Sequence, residues 1–449
     1  MKPHSSQSET GLFDGVLAAG GVAAAVSDAS WLQAMLDAEA ALAGALADVG
    51  LISAAGAAAI SACCKADLFD IGELGRAATG SGNPVVPLVK ALTNAVPEPA
   101  NRHVHRGATS QDILDTASML VASRALLPLL DDLSAAASMC ADLAQKHQHT
   151  TMAGRTLLQQ ALPTTFGLLA ATWLHGLDTA VDGLVRLRKT RLAIQFGGAA
   201  GTLASLGEDG VRVAAAMARR LELAEPVLPW HTERTRIADL ASATATAAGA
   251  VGTIAKDITL LAQTEVGEVS EAAGGGSSTL PHKQNPIAAI AALAGAAQAP
   301  GLASTLLATM PQEYERAAGN WHAQWRPLTD LLRVTGSAAF WLRTSLSGLN
   351  VHSERMRSNV DITGGLLMAE RVTSALTEEL GRQVAHQLVT AACQRTLHSG
   401  QSLAAELTAD DKIPLTGEQV DKLLRPEDYL GSTQTFIDRS LAAHRRADD

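Results

Sequence analysis

Hydrophobic residues recur along most of the chain at intervals of three and four positions, which is the spacing of one face of an α-helix. Between residues 30 and 49 the leucines and a methionine fall on one side in this way. Asp28 or Ser30 is the expected N-cap of that helix, and Gly50 is its expected stop. The pattern therefore predicts a first long helix over 30–49.

The same spacing predicts further long helices over 112–145, 164–191, 233–269 and 285–307. Pro128 is expected to interrupt the first of these. Clusters of β-branched and aromatic residues, which are typical of strands, are nearly absent. We therefore predict an all-α fold in which long helices pack as a bundle.

Glycine, serine, proline and asparagine concentrate in 79–107, 195–210 and 272–285. Loops held by a rigid scaffold are where binding and catalytic residues are usually found. The long-helix pattern ends near Gly348, and a smaller helical region follows it. The expected domains are an N-terminal helical domain, a central long-helix domain and a C-terminal helical domain, at 1–108, 109–350 and 351–449.

Two stretches, 240–255 and 286–310, contain no charged residue. The second is long enough to span a bilayer, but its many alanines, Gly295, Gln298 and Pro300 make transfer into lipid weakly favourable. A helix that is apolar on all sides is more typical of the interior of a large helical assembly. We therefore expect no membrane partner, and a core wider than one small domain provides.

Charge and cysteine content narrow the function classes. The 449 residues include 35 Lys and Arg against 45 Asp and Glu, a formal charge of −10, so no nucleic-acid partner is expected. The four cysteines contain no CxxC pair and are too few for a disulfide framework in a chain of this length. Free thiols and a polar N-terminal stretch without a secretory signal predict a cytoplasmic protein.

The stretch 274–286 contains the clearest candidate chemistry. Three glycines and two serines precede Lys283 and Asn285, and a proline follows at the predicted helix start. It is not a Walker phosphate loop, because His282 stands before the lysine, and it is not a Ser-x-x-Lys motif, because Leu280 stands three residues before it. Asn285 is the expected helix cap, and the lysine, the amide and the helix start together favour an anion.

Two histidine pairs, at 103/105 and 147/149, are the only sequence features that suggest a metal. Neither has a carboxylate or a cysteine nearby at the spacing of metal ligands. We therefore expect no metal site.

Three segments resemble the fumarase/aspartase superfamily. Residues 276–286 are similar to its G-S-S-x-M-P-x-K-x-N-P motif, with Leu280 in place of the methionine. Residues 105–117 are similar to the H-x-G-x-T-S-x-D-x-x-D-T-A segment of adenylosuccinate lyases and carboxymuconate cycloisomerases. Residues 154–159 resemble the third region, whose usual form is T-H-L-Q. Residues 315–322 and the opening 12–14 resemble most specifically the 3-carboxy-cis,cis-muconate cycloisomerase family.

The resemblance covers nearly the whole chain and implies an antiparallel long-helix domain whose central helices form the core of a homotetramer. It implies active sites shared between subunits, a small polycarboxylate substrate and no cofactor. The implied reaction cyclises 3-carboxy-cis,cis-muconate to 4-carboxymuconolactone in the degradation of aromatic compounds. The alternatives are a sibling lyase that releases fumarate, like adenylosuccinate lyase, and a structural helical protein that has lost activity.

The resemblance also implies residue roles. Ser277 is the expected proton-transfer group, and Lys283 and Asn285 stabilise the aci-carboxylate that forms when a proton leaves the carbon beside a carboxylate. The expected binders of substrate carboxylates are His105, Thr109, Ser110, Gln159 and Arg316. The residues taken without the resemblance also allow structural interpretations. Ser277 could be a hinge residue, His105 a structural histidine, and Arg155 and Arg316 members of ordinary ion pairs.

Leu157 departs from the superfamily pattern, because it stands where T-H-L-Q has its histidine. Amine and hydroxide leaving groups need a proton donor there. When a lactone opens, the leaving group is a carboxylate with a pKa of ~4, which leaves without protonation. Leu157 thus favours lactone chemistry; the alternative is that it packs in a core and that His105 or His282 donates the proton.

Overall fold

The computed structural model describes residues 11–272, 275–276, 280 and 282–448. In that part of the chain, helices α1 to α19 span, in order, Asp14–Leu17, Gly21–Ala25, Asp28–Asp48, Ala54–Cys63, Ile71–Ala77, Val85–Ala95, Ser110–Lys146, Phe166–Thr190, Gly210–Leu221, Thr235–Leu261, Ile287–Ala308, Asn320–Ala323, Trp325–Ser347, Ser353–Asp361, Ala369–Leu380, Arg382–Ser399, Leu403–Thr408, Gly417–Leu423 and Thr433–Asp448. Short 3-10 helices span Ala66–Leu68, Ala78–Gly80, Ala100–His103, Ala204–Asp209, Leu366–Met368 and Pro426–Asp428.

Strands β1 to β6 span Thr151–Thr156, Gln159–Thr165, Val269–Glu271, Gly275–Gly276, Gln284–Asn285 and Leu349–Val351. They pair only as antiparallel two-stranded ladders, β1 with β2, β3 with β6, and β4 with β5. Helices carry the remainder of the regular structure. The prediction of an all-α fold built from long helices is confirmed.

The residues at the two ends of helix α3 explain where it begins and ends. Ser27 is the N-cap, and its hydroxyl accepts from the Ser30 backbone N–H at 3.2 Å, so the expected caps Asp28 and Ser30 lie one and three positions too late. The chain leaves the helix through Gly50, which has φ +86°, a conformation that glycine adopts without strain. The predicted stop is therefore confirmed.

Pro128 does not interrupt α7, which continues from Ser110 to Lys146 with this proline inside it. Proline removes one i→i−4 hydrogen bond. Leu126 and Leu129 on either side are fully buried, so tertiary packing outweighs that local loss. The prediction of a break there was wrong.

Two segments predicted as helical contain strands. The first predicted residues of 164–191 belong to β2, which pairs with β1 in a hairpin, and α8 begins at Phe166. Helix α10 ends at Leu261 rather than near residue 269, because Val269 starts β3, which pairs with β6. The strand register depends on partners far away in sequence, which helical periodicity cannot reveal.

The chain divides into two compact units of interleaved segments. The first unit consists of 11–134, 179–252 and 291–343. Close helix packing in this unit relies on small residues: a methyl group on Gly295 of α11 would lie 2.9 Å from the Val334 carbonyl oxygen of α13. The division into domains at 1–108, 109–350 and 351–449 stays a prediction.

The second unit consists of the described residues within 135–178, 253–290 and 344–448. Helices α15 to α18 enclose a hydrophobic core of their own, formed by Val372, Leu376, Ala385, Val389, Ala392, Leu403, Leu407, Ile413 and Val420. A second cluster joins Ala153 of the β1–β2 hairpin to Val360, Leu367 and Met368. Through Ala153, this second cluster packs the β1–β2 hairpin against the rest of the unit.

Three helices in the described part of the chain, α7, α10 and α11, are long and apolar enough to cross a membrane by length and composition. In the most apolar window of each, 72%, 50% and 44% of the residues, respectively, are buried within this chain. Ile287, Ile290 and Leu307 of α11 are all more than 40% exposed. A single chain therefore leaves part of 286–310 exposed. The sequence pattern predicted a helix that is buried on all sides inside a large helical assembly.

Candidate active site

In the first unit, the 105–117 segment forms a turn followed by the start of α7. Thr109 occupies the N-cap position, and the Asp112 carboxylate reaches back to accept from the Thr109 backbone N–H at 3.0 Å. This contact is half of a capping box, which the Thr-x-x-Asp spacing encodes. The helix therefore begins at Ser110, and the two predicted carboxylate binders Thr109 and Ser110 stand at its first turn.

Asp112 also connects this helix start to the glycine-rich loop. Its carboxylate is fully buried and accepts from the backbone N–H groups of Gly197 at 3.0 Å and Gly198 at 2.8 Å. Nε2 of His231 lies 2.7 Å from Asp112 Oδ1. A buried carboxylate needs several donors of this kind, and here they fix the loop relative to Thr109.

Gly197 is required for this arrangement by close approach. A methyl group there would lie 2.8 Å from both the His231 ring and the Pro229 side chain. No side chain fits into that gap without displacing one of them. The glycine in the predicted loop 195–210 therefore has a packing reason.

Arg316 lies beside Thr109. Its Nη1 donates to Thr109 Oγ1 at 2.9 Å, and its Nη2 donates to the Ala199 carbonyl oxygen at 2.9 Å. It makes no ion pair with Glu315, so that alternative is not realised. Because the Thr109 hydroxyl accepts from the guanidinium, its own hydrogen is available to donate to another acceptor, such as a carboxylate.

His105 lies in the turn before Thr109, with φ +58°. Its Nδ1 lies 2.6 Å from Oε1 of the buried Glu39 on α3. Burial acts to lower the pKa of His105, but the hydrogen bond and charge of Glu39, together with the charge of Asp112, raise the pKa above its ordinary value. The imidazole is therefore biased toward its cationic form, which suits an anion binder.

One turn further along α7, Asp115 forms a second buried network. The Arg234 guanidinium donates to both of its oxygens at 2.7 and 3.1 Å, and Trp321 Nε1 donates to Oδ1 at 3.0 Å. Gln111 Nε2 donates to Oδ2 at 3.1 Å. All four side chains are buried, so they hold the helix start rigidly from the side of the core.

In the second unit, the β1–β2 hairpin presents the third motif region at its tip. Leu157 and Leu158 form the two-residue turn with φ +52° and +65°, and they are 97% and 73% exposed. Such a turn normally uses Asn or Gly. Leu157 is thus not a core residue, and the predicted binder Gln159 is exposed beside it.

Arg155, on the same hairpin, forms a structural ion pair. Its guanidinium donates to both oxygens of Glu268 at 2.9 and 2.6 Å, and Asn359 Nδ2 donates to Glu268 Oε1 at 2.7 Å. Glu268 is fully buried. The interpretation of Arg155 as a member of an ordinary ion pair is therefore confirmed.

Within 272–286, the described residues of β4 and β5 form an antiparallel ladder. Gly275 pairs with Asn285, whose Nδ2 also donates to the Gly275 carbonyl oxygen at 3.2 Å. Lys283 is exposed: its backbone N–H donates to the Leu280 carbonyl oxygen at 3.0 Å, and its side chain has no hydrogen-bond or ion-pair partner among the described residues. Ser277 lies outside the described residues.

The start of α11 is capped by Glu271 and not by Asn285, so the predicted cap was wrong. The Ala288 and Ala289 backbone N–H groups donate to the buried Glu271 carboxylate at 3.1 and 2.9 Å. Ser345 Oγ donates to the same carboxylate at 2.6 Å. The helix N-terminus therefore already holds an anion, which corrects the expectation that it helps to bind one from solution.

The structure brings four predicted site residues together in the first unit: His105, Thr109, Ser110 and Arg316. In the second unit Lys283 and Asn285 share one loop, and Gln159 stands on the hairpin. Within the described ranges, no three His, Cys, Asp or Glu side chains gather as a metal ion would require.

Sequence reasoning did not assign roles to the buried side chains that support these residues, namely Glu39, Asp112, His231 and Arg234. For Asp112 the capping-box spacing was an available signal. For Glu39 the signal was a single acid on the otherwise apolar face of α3. Nothing local marks His231 or Arg234, because their partners lie more than 100 residues away.

Comparisons with known proteins agree along the chain. Residues 18–301 match a family model described as lyase, and residues 365–440 match one described as adenylosuccinate lyase C-terminus. A 3-carboxy-cis,cis-muconate cycloisomerase of Bradyrhizobium diazoefficiens is 48% identical, over 96% of this chain and 97% of the relative. A nitrosuccinate lyase of Streptomyces davaonensis is 44% identical, over 98% of this chain and 96% of the relative.

The fold has solved counterparts. The crystal structure of 3-carboxy-cis,cis-muconate lactonizing enzyme from Pseudomonas putida aligns with a TM-score of 0.92 and 42% sequence identity, covering 98% of this chain and 100% of that one. A fumarate lyase from Mesorhizobium aligns with a TM-score of 0.86 and 35% identity, over 94% and 97% of the two chains. The helical architecture is therefore shared by enzymes with more than one substrate.

Proposed function

The chain belongs to the lyase family of the fumarase/aspartase superfamily, and we propose that it cyclises 3-carboxy-cis,cis-muconate to 4-carboxymuconolactone. The observation that carries this proposal is Leu157, which separates it from reactions that expel an amine or hydroxide. An apolar side chain stands at the hairpin tip where the superfamily motif has a histidine, so that position offers no proton to a leaving group. A carboxylate leaving group, with a pKa of ~4, needs none. Relatives with this activity at 45–48% identity support the same assignment.

In the proposed reaction, one carboxylate oxygen of the diene attacks an alkene carbon, and the neighbouring carbon takes up a proton. In the reverse direction, Ser277 removes that proton, and the electron pair moves into the adjacent carboxylate. The aci-carboxylate then carries two negative charges, which Lys283 and Asn285 stabilise. The electron pair returns to expel the ring carboxylate, so no acid is needed on the leaving oxygen.

Recognition of the polycarboxylate falls to the cluster at the start of α7. The Thr109 hydroxyl, which accepts from Arg316, directs its hydrogen to a substrate carboxylate. The His105 imidazole, whose pKa is raised, supplies a positive charge, and Ser110 and Gln159 supply further donors. This set suits a substrate with three carboxylates and requires no cofactor.

We also propose that the protein works as a cytoplasmic homotetramer with active sites shared between subunits. Two observations support the assembly: the strained hairpin tip exposes two leucines, and only 44% of the residues in the most apolar window of α11 are buried within a single chain. Other copies, and not lipid, would cover these surfaces. Four free cysteines are consistent with a reducing compartment.

The test of function is the loss of the ultraviolet absorbance of the conjugated diene when the purified protein meets 3-carboxy-cis,cis-muconate. Ser277→Ala is expected to slow turnover by about 10²- to 10⁴-fold. Ser358→Ala, at an exposed serine of α14, is the matched control and should turn over like the parent. Equal rates for parent and Ser277→Ala would contradict the assigned role of Ser277.

The second candidate is a fumarate-releasing lyase, favoured by the 44% identity to nitrosuccinate lyase. Nitrite, like a carboxylate, leaves without protonation, so Leu157 does not distinguish the two reactions. The same preparation should therefore also be offered nitrosuccinate. Fumarate release without any loss of the muconate absorbance would replace the cycloisomerase proposal with this one.

Shared sites are tested by co-expressing Thr109→Ala and Ser277→Ala chains. If one site uses Thr109 from one subunit and Ser277 from another, mixed tetramers regain activity that neither variant has alone. Inactive mixtures would mean that each site is built within one chain. Native mass spectrometry gives the subunit number independently.

A further inference from the structure

Glu39 is a buried carboxylate that the proposed reaction does not use. It lies on α3, is 1% exposed, and has Oε1 at 2.6 Å from His105 Nδ1. Its other oxygen, Oε2, is buried without a hydrogen-bond partner in the described part of the chain. A buried charge is costly unless it is paired, so the contact with His105 is what makes this carboxylate tolerable.

The contact leaves one ring nitrogen of His105 free. A carboxylate oxygen accepts, so Nδ1 carries the hydrogen of this bond. Nε2 has no partner among the residues that the structure describes, and the side chain is 19% exposed. Because the bond to Glu39 occupies Nδ1 and holds the ring, Nε2 is the edge that remains for a ligand.

We propose that Glu39 is a positioning residue: it holds Nδ1 of His105 so that the Nε2 edge binds a carboxylate of the substrate. For the identity of that substrate, this inference rests on the proposed function. The contact between Glu39 and His105 does not depend on it. Second partners of this kind are a general means by which proteins orient a functional histidine.

The charge around His105 supports the same role. Burial acts to lower its pKa, while Glu39 on α3 and Asp112 on α7 act to raise it, and the net pKa is raised. Cys64, near Glu39, has a pKa raised to about 12, chiefly by burial, and stays neutral at physiological pH. The pair of Glu39 and His105 therefore stabilises the fold fully below the ordinary pKa of histidine. This contribution is lost as the pH rises through the raised pKa of His105.

The first test needs no substrate. An NMR titration of the imidazole resonances gives the pKa of His105 in the parent protein, in Glu39→Gln and in Asp37→Asn. Asp37 is the matched control on the same helix, where it pairs with Arg124. We expect an elevated pKa of His105 in the parent and in the control. In Glu39→Gln we expect a lower pKa of His105, because burial still lowers it and the charge of Glu39 no longer raises it. An unshifted pKa in the parent protein alone would overturn the inference, even if the variant fails to fold.

The second test measures turnover of 3-carboxy-cis,cis-muconate. Glu39→Gln is expected to lower kcat/KM by about 10-fold or more, mainly through KM, because a charge-assisted contact is lost. The deficit should grow as the pH rises from the lowered pKa of His105 in the variant to its raised pKa in the parent, because His105 loses its charge earlier in the variant. A purely structural role predicts a deficit that does not change with pH, and this result would contradict the proposal.

A double variant separates the two parts of the argument. If Glu39 acts through His105, adding Glu39→Gln to His105→Asn lowers kcat/KM by less than about 2-fold. An additive loss would show that Glu39 acts elsewhere. If the parent consumes no muconate but the pKa of His105 falls in Glu39→Gln, the positioning role stands and the proposed function does not.

Discussion

The start of α7 and the two loops of the second unit hold their predicted site residues by different means. Thr109 and His105 are fixed by three side chains that are bonded to the segment: the half-buried Arg316 and the buried Asp112 and Glu39. Gln159 and Lys283 are exposed, and neither has a side-chain partner in the described part of the chain. The site side chains of the first region are therefore preorganised by their own chain, whereas the side chains of Gln159 and Lys283 are not.

This difference has an energetic consequence. Substitutions in the preorganised region remove bonds that stabilise the fold, so they should cost stability and activity together. Substitutions at the exposed side chains remove no such bonds, so they should cost activity alone. The following variants test that separation.

The largest expected effect is on catalysis at Lys283. Lys283→Met should lower kcat for 3-carboxy-cis,cis-muconate by about 10³-fold, because it removes a charge that stabilises the aci-carboxylate. The urea midpoint should stay at the parental value, since the exposed side chain makes no hydrogen bond or ion pair among the described residues. A large fall in that midpoint would place Lys283 in the preorganised class instead.

The next effect is on stability at Asp112. Asp112→Ala leaves the N–H groups of Gly197 and Gly198 and the His231 ring without their buried acceptor. The free energy of unfolding should fall by about 3 kcal/mol or more. Asp142→Ala, at an exposed acid of the same helix, should change it by less than about 0.5 kcal/mol. Similar urea midpoints for the two variants would refute the network.

Glu271 tests the helix cap in the second unit. Glu271→Gln removes the negative charge that faces the start of α11, and stability should fall by about 1–2 kcal/mol. Glu354→Gln, at an exposed acid in the first turn of α14, is the control and should cost under about 0.5 kcal/mol. Equal losses would mean that the bonds to Ala288 and Ala289 contribute little beyond the helix dipole.

The smallest expected effect is at the hairpin tip. Leu157→Asn should raise the free energy of unfolding by about 0.5 kcal/mol, because asparagine tolerates a positive φ better than leucine. Leu157→Val should lower it by about 1 kcal/mol, because a β-branched residue tolerates that φ worse. Thermal unfolding of both variants measures the two changes in stability. A Leu157→Val protein more stable than Leu157→Asn would contradict the strained turn.

Much of the helical fold was accessible to local reasoning. Alanine- and leucine-rich periodicity located α3, α7, α8, α10 and α11 within a few residues at most ends. The failures have distinct causes. The β1–β2 hairpin was missed because its strands contain few β-branched residues and no aromatic ones. The effect of Pro128 on the helix was overestimated, because burial of Leu126 and Leu129 outweighed the local rule.

The candidate site was predictable only in part. The motif residues identified Thr109, His105 and Arg316, and the structure brings these together. The cap of α11 was assigned to Asn285 because it directly precedes Pro286 in sequence. The residue that caps the helix, Glu271, reaches it from β3, 17 residues earlier, and Ser345 holds it from a helix 74 residues further on.

By itself, the sequence determined that this chain builds long helices, because the 3.6-residue repeat and the capping residues act over one or two turns. It also determined which chemical groups are available, through the motifs that carry Ser277, Lys283 and Thr109. Only the tertiary structure decided which carboxylates stabilise the fold. Asp112, Glu268 and Glu271 accept hydrogen bonds from other parts of the chain, and Glu39 faces His105. The physical reason is that burial and pairing between distant segments, not residue type, set whether a charged group is free to meet a substrate.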